Sequence, residues 1–168
     1  MIRLRPATPA DRALLERWDE APHVRANAGD DGGFDWAAEL PRSPPWREFL
    51  IALKGDRPIG FIQIIDAQLE ETRYWGAIGP GHRAIDIWIG EADAIGQGHG
   101  TAMMRQALAR CFAPPEVTAV LVDPLAANSR AHRFYQRLGF KPVERRRFGQ
   151  DDCLVHRLDR ADWQRLRT

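Results

Sequence analysis

Gly96-Gln97-Gly98-His99-Gly100-Thr101 places three glycines at alternate positions just before a helix-like segment. Glycine lets the backbone turn tightly, and the first turn of a helix leaves its N–H groups unpaired. With the helix dipole, such a loop favours a bound anion, for example a pyrophosphate. The loop lacks the Gly-Lys-Ser/Thr of a Walker A motif and the spacing of a dinucleotide fingerprint. A flexible turn without a ligand is the alternative interpretation.

The segments on either side of this loop predict a strand before it and a helix after it. Ile85, Ile87 and Ile89 alternate with Asp86 and Trp88, as in a strand whose two faces differ. After the loop, apolar residues recur at helical spacing, which predicts an amphipathic helix. This apolar stripe consists of Met103, Met104, Ala107, Leu108, Cys111 and Phe112.

A second informative segment follows this helix. The apolar run 117–122 predicts a strand buried on both faces. Asn128 or Ser129 then caps a predicted helix that carries Tyr135 on its inward stripe and ends at Gly139. A tyrosine hydroxyl near an active site can donate a proton. A core tyrosine with a satisfied hydroxyl is the alternative.

The remaining elements define the expected fold class. Further strands are predicted at residues 1–5, 48–53, 59–65, 143–148 and 153–158. The element order predicts one α/β (α+β) domain over residues 1–168, with a mixed, mostly antiparallel sheet of six to seven strands flanked by helices. The irregular region 23–45 holds short helices around Val24 and Trp36 and is a candidate substrate-side loop.

Composition limits the possible functions. The chain has 168 residues and a formal charge of +1, which argues against a general nucleic-acid or membrane-surface binder. Its two cysteines form neither a metal-binding spacing nor a disulfide framework, and its five histidines show no ligand spacing, so we predict no metal. Neither a signal peptide nor a long apolar run is present, so we expect a cytoplasmic protein.

Together the two segments resemble the GNAT acetyltransferase superfamily. The acyl-CoA loop of that family follows a strand and opens a helix, as residues 96–101 do. Its next strand and helix end in a pattern similar to Asn128…Phe134-Tyr135…Leu138-Gly139-Phe140. Ile95 departs from the family, which usually has Arg or Gln there, so we expect weaker side-chain help for the pyrophosphate.

A narrower resemblance concerns the aminoglycoside 6'-N-acetyltransferase branch. It rests on Ala84-Ile85-Asp86-Ile87, on Pro58-Ile59-Gly60-Phe61-Ile62-Gln63 and on Val122-Asp123-Pro124, together with the glycine loop. The resemblance covers nearly the whole chain, from about residue 3 to residue 157. The same branch includes N-acyltransferases of hydroxamate siderophore synthesis, so the family is better defined than the substrate.

The resemblance implies direct transfer of an acetyl group from acetyl-CoA to a primary amine. Asp86 matches the base proposed for this branch, although it could also bind an ammonium group or be a surface carboxylate. Tyr135 would protonate the leaving thiolate or hold its sulfur. Asn128 would contact the pantetheine arm or cap its helix. The cofactor contacts implied are the backbone groups of Ile87 and Ile89 and the loop residues Gln97, Gly98, His99, Gly100 and Thr101.

A polycationic sugar requires carboxylates and aromatic faces. The candidate substrate contacts, besides Asp86, are Asp66, Glu70, Glu71, Asp151, Asp152, Trp36 and Trp75. The connection 66–83 carries fewer clustered acids and tryptophans than the aminoglycoside enzymes. Alternative acceptors are therefore a siderophore hydroxylysine, a polyamine or a peptide, and a non-catalytic CoA-binding module is a further alternative. The sequence is compatible with a monomer or a homodimer.

Overall fold

A seven-stranded sheet forms the centre of the computed structural model, which describes residues 1–29 and 33–168. The strands are β1 (Ile2–Pro6), β2 (Arg47–Lys54), β3 (Arg57–Asp66), β4 (His82–Ile89), β5 (Ala119–Val122), β6 (Lys141–Phe148) and β7 (Asp151–Asp159). Their order across the sheet is β1-β2-β3-β4-β5-β7-β6. Strands β4 and β5 pair in parallel and the other neighbours pair antiparallel, so the predicted mixed, mostly antiparallel sheet is confirmed.

Helices cover both faces of this sheet. They are α1 (Arg12–Asp19), α2 (Pro22–Arg25), α3 (Trp36–Glu39), α4 (His99–Phe112), α5 (Ser129–Arg137) and α6 (Arg160–Leu166). Short helices around Val24 and Trp36 were predicted, and α2 and α3 confirm them. The candidate substrate-side loop 23–45 includes residues 30–32, which lie outside the described residues.

Helix α4 packs against one face of the sheet through its predicted apolar stripe. All six stripe residues are at most 3% exposed, and Ile87 and Ile89 of β4 pack against the same cluster. On the opposite face, Trp18 of α1 and Trp36 of α3 belong to a second cluster that includes Phe61 of β3. The two faces of β4 therefore differ, as its alternating sequence predicted.

Strands β4 and β5 separate after a short pairing. Residues 82–84 of β4 pair with residues 119–121 of β5. The pairing found for residues 85–89 is with β3 on the other side of β4. An open strand edge results, with backbone N–H and C=O groups that a bound extended molecule can use. This edge positions the cavity described below.

His156 of β7 is fully buried next to α5. Its Nδ1–H donates to the Leu154 carbonyl at 2.9 Å, and its Nε2 accepts from the Gln136 amide at 3.3 Å. Burial is the main cause that lowers the pKa of His156 from its ordinary value of 6.5, and the neighbouring His132 lowers it further. The folded protein therefore holds this imidazole neutral.

This burial predicts a pH dependence of stability. Below pH 6.5 the unfolded chain binds a proton at His156 before the folded chain does, so the free energy of unfolding decreases as the pH falls. Above that pH the contribution is constant. We expect the urea midpoint of the wild type to fall more steeply between pH 6.5 and 5 than that of His156→Gln. Equal slopes for the two proteins would contradict this assignment.

Candidate active site

The open edge of β4 forms one wall of a cavity of about 750 Å³. Residues 85–89 of β4 line it, and residues 123–125, which follow β5, lie across from them. The start of α4, the inner face of α5 and part of the connection 70–75 complete the wall. A volume of this size is typical of a small-molecule site.

The glycine-rich loop forms one end of this cavity. Gly96 and Gly98 have φ angles of 75° and 82°, the left-handed region that favours glycine, and α4 begins at the next residue, His99. A Cβ on Gly100 would lie 3.4 Å from Phe134, so loop and α5 approach closely. Arg130 and Arg137 of α5 line the same cavity. The helix N–H groups make this end suited to an anion, and the two guanidinium groups add positive charge to the cavity.

Ile89 directs its peptide groups into the open edge. A Cβ on Gly60 of β3 would lie 2.7 Å from the Trp88 carbonyl oxygen, so that carbonyl faces β3. Because the two groups of a trans peptide point in opposite directions, the N–H of Ile89 faces the cavity. An extended amide-bearing molecule can accept from this N–H, as an added strand would.

Asp86 projects from the face of β4 opposite to the one on which Ile87 and Ile89 pack against α4. It lies directly across from Gln63 of β3, and the Gln63 Nε2–H donates to its Oδ2 at 2.6 Å. The carboxylate is exposed to the cavity that it lines. A carboxylate has several lone pairs on its two oxygens, so Asp86 can accept hydrogen bonds and also accept a proton.

Tyr135 lies on the α5 side of the cavity. It is 8% exposed, and its ring packs edge-on against Phe134 and Phe140 at centroid distances of 5.2 and 5.6 Å. Across residues 1–29 and 33–168, no group forms a hydrogen bond with its hydroxyl. Burial raises the pKa of Tyr135, and the charges of Asp86 and Asp123 raise it further, so the phenol stays protonated and can donate.

Asn128 both caps its helix and lines the cavity. Its Oδ1 accepts from the Ala131 N–H at 3.1 Å, which satisfies one unpaired donor of α5. The capping role left open by the sequence is therefore present. It fixes the start of α5, the helix that carries Tyr135.

Four of the predicted substrate residues line the cavity on its acidic side. Glu70 is buried and accepts from the backbone N–H of Thr72 and of Tyr74 at 2.7 and 2.9 Å. Glu71 pairs with Arg42 at 2.9 Å. The others are Trp75 and Asp151. Glu70, Glu71 and Trp75 come from the connection between β3 and β4 and Asp151 begins β7, so the fold brings two distant segments to the cavity.

Asp19, Tyr74 and Asp123 are among the cavity residues that escaped sequence reasoning. The Tyr74 hydroxyl donates to Asp123, and its ring stacks on Phe148 with centroids 4.4 Å apart. Asp123 directly follows β5, at the carboxyl end of a buried strand, and this position was a usable signal. Nothing in the local sequence marks Tyr74 or Asp19.

A family comparison agrees with this geometry. The model described as acetyltransferase (GNAT) domain matches residues 7–148. The chain belongs to the GNAT acetyltransferase family. It is an N-acetyltransferase, as the resemblance of its two motifs implied.

Relatives of this GNAT acetyltransferase include antibiotic-modifying proteins. The aminoglycoside N(6')-acetyltransferase type 1 of Klebsiella pneumoniae is 30% identical over 148 residues, which cover 83% of this chain and 74% of that protein. A kanamycin resistance protein of Rhizobium radiobacter is 39% identical over 74 residues, covering 44% and 68% of the two chains. The solved structure of AAC(6')-Ib with ribostamycin and coenzyme A matches with a TM-score of 0.85 at 27% identity, covering 99% and 98%.

Acetyl-CoA is the acetyl donor of this GNAT acetyltransferase, and the residues present fit it. The Nε2 atom of His99, in the glycine loop, is buried without a hydrogen-bond partner in the described part of the chain. Together with the helix N-terminus, and with Arg130 lining the same cavity, this loop offers donors for phosphate groups. The open edge at Ile87 and Ile89 offers backbone groups for the pantetheine arm.

Four of the predicted site residues are not among those that line the cavity. Trp36 is 2% exposed, and its Nε1–H donates to Asp19 at 2.6 Å, so it is a core residue that does not reach the cavity. Asp66 pairs with Arg83 at 3.1 Å, and Asp152 pairs with Arg145 away from the cavity. The Gln97 side-chain amide donates to the Asp93 carbonyl at 2.5 Å and so stabilises the loop, while its predicted backbone contact with the pyrophosphate stays a prediction.

Two absences concern only residues 1–29 and 33–168. In these ranges, no helix has the length and apolar composition needed to cross a membrane. The same ranges contain no group of three or more His, Cys, Asp or Glu side chains arranged to hold a metal ion.

Proposed function

We propose that this GNAT acetyltransferase acetylates the 6'-amine of aminoglycosides. The observation that carries the proposal is the set of carboxylates that line the same cavity as Asp86, because a polycationic sugar requires opposite charge around the amine that reacts. The cavity acids on this side include Asp19, Glu70, Glu71, Asp123 and Asp151. The guanidinium groups of Arg130 and Arg137 lie on α5, the helix that the glycine loop contacts, so the acidic and basic walls match the two substrates.

The residues of the site divide the proton transfers between them. Acetyl-CoA supplies the acetyl group as a thioester. Asp86 accepts, directly or through one water, the proton that the ammonium group must lose before its nitrogen can attack. As the C–N bond forms and the C–S bond breaks, Tyr135 donates its phenolic proton to the sulfur or holds the sulfur by a hydrogen bond. Its raised pKa keeps that proton in place beforehand. The attacking nitrogen loses its second proton to water as the amide forms, and water returns a proton to Tyr135 if the phenol has donated its own.

The family relatives support the same substrate class. Two of them are named for aminoglycoside 6'-acetylation and kanamycin resistance. The proposal holds for a monomer or a homodimer. We place the protein in the cytoplasm, where its acetyl donor is made.

The test is thiol release from acetyl-CoA by the purified protein with a panel of amines. We expect turnover of kanamycin and tobramycin, and none of an aminoglycoside that carries a hydroxyl at the 6' position. Turnover of N6-hydroxylysine, spermidine or a peptide without turnover of any 6'-amino aminoglycoside would contradict the antibiotic substrate. Binding of acetyl-CoA without turnover of any amine would favour a non-catalytic module.

A further inference from the structure

His23 of α2 contacts β4 through a hydrogen bond that the acetyl-transfer scheme above does not use. We call β4 the cofactor strand, because its open edge offers backbone groups to the pantetheine arm. Its Nε2 lies 2.8 Å from the carbonyl oxygen of Ile89, the last residue of β4. Because a carbonyl only accepts, Nε2 must carry the hydrogen and donate. The imidazole is partly buried and lines the cavity.

The carbonyl that His23 binds is the one at the open edge. The N–H of Gly90 donates to the Ile59 carbonyl of β3 at 2.8 Å. Since this N–H and the Ile89 carbonyl belong to one trans peptide, the carbonyl points away from β3 and into the open edge. An added strand would use this acceptor, and His23 already engages it.

A second set of contacts holds the chain around His23 against the end of β4. We call residues 17–28, from the end of α1 through α2, the corner segment. The Trp18 ring lies so close to Gly90 that a Cβ there would be 2.0 Å from it. The Trp18 Nε1–H and the Arg17 guanidinium both donate to Glu91, at 3.1 and 2.8 Å. The corner segment is thus docked on the end of β4.

The corner segment also supplies part of the acidic side of the cavity. Asp19, Val24 and Asn27 line the cavity from it. The Asn27 side chain donates to the His23 carbonyl at 3.1 Å, so the position of Asn27 depends on that of His23. The His23 side chain therefore links the corner segment, which lines the part of the cavity proposed to bind the amine, to the open edge of β4 at Ile89.

We propose that His23 is a positioning residue of acetyl transfer. Its hydrogen bond to Ile89 sets the distance between the amine-side wall and the cofactor strand. The same hydrogen bond occupies the Ile89 carbonyl, so the groups available to bind the pantetheine arm are the Ile89 N–H and the peptide groups of Ile87. The proposal rests on the proposed function for the identity of the amine, whereas the docking of the corner segment can be measured without any amine.

The test compares His23→Ala with His23→Gln, whose amide N–H can reach the same carbonyl. Arg25→Ala is the matched control, because Arg25 lies on the same helix, is exposed and makes only a 3.6 Å ion pair. For His23→Ala we expect KM for the amine to rise about tenfold, which corresponds to one lost hydrogen bond, while Kd for CoA by calorimetry changes less than about threefold. Backbone amides of residues 24–28 should exchange hydrogen faster than in the wild type. His23→Gln should restore both quantities.

Three outcomes separate this proposal from the proposed function. If the wild type acetylates another amine and no aminoglycoside, the proposed function fails and the His23 variants are assayed with that amine. If His23→Ala behaves like Arg25→Ala in KM and in hydrogen exchange, the positioning role is overturned. A Gln variant as impaired as the Ala variant, with both folded by thermal unfolding, also overturns it.

Discussion

Asp86→Asn is expected to lower kcat/KM for amine acetylation by about 10²–10³-fold, the range typical of a lost general base. Asparagine keeps the shape of the side chain and can still accept the hydrogen bond of Gln63, so the cavity wall is preserved. What it loses is the ability to take a proton from the ammonium group. Initial rates of thiol release at saturating acetyl-CoA measure this effect.

The matched control for this variant is Asp56→Asn, a fully exposed carboxylate in the turn between β2 and β3. We expect wild-type kinetics from it, and an unchanged Kd for CoA in both variants. If Asp86→Asn raises KM and leaves kcat intact, the carboxylate binds the amine without acting as its base. A variant with full activity would contradict any role for the Asp86 carboxylate in accepting the proton.

Tyr135→Phe is expected to lower kcat by about 10–100-fold, toward the low end of acid catalysis, because a thiolate is a good leaving group even without protonation. Phenylalanine fills the same buried space against Phe134 and Phe140, so stability should change little. The hydroxyl itself has no hydrogen-bond partner in the described ranges, and its removal leaves no other group unsatisfied there. Single-turnover rates of acetyl transfer measure the effect.

Binding measurements then separate the two roles open to Tyr135. If the hydroxyl donates a proton, kcat falls while Kd for CoA stays within about twofold of the wild type. If it mainly holds the sulfur, Kd rises together with the loss of rate. Wild-type values of both would contradict any role for the hydroxyl. Thermal unfolding of the variant confirms that the comparison concerns folded protein.

The secondary-structure elements and the loop proposed to bind acetyl-CoA could be predicted from the sequence because each prediction depends on a local pattern of residues. The alternation around Asp86 predicts β4, and the apolar stripe after the glycine loop predicts α4 with its buried residues. Asn128 lies at the N-cap of α5 and accepts from Ala131, three residues ahead. Each signal depends on neighbours a few residues apart, where spacing determines which side chains share a face.

The residues proposed to bind the amine were harder to predict from the sequence because they come from distant segments. Trp36 and Asp152 have the residue types expected of a sugar site, yet the fold buries the first in an aromatic cluster and pairs the second with Arg145. Asp123 and Tyr74, which no prediction included, meet through contacts between segments 49 positions apart. Residue type alone does not say which acid is already neutralised by a partner.

The amino-acid sequence was therefore sufficient for the family and for the order of elements up to β7, and its motifs of fixed spacing are the basis on which the cofactor loop and the pair Asp86 and Tyr135 are proposed. The tertiary structure was needed to show that β4 and β5 separate after three paired residues and open the edge on which the site is built. It was also needed to show which carboxylates face the cavity and that His23 reaches the Ile89 carbonyl. These features depend on which distant side chains pack together, and packing between segments leaves no periodic trace in the chain.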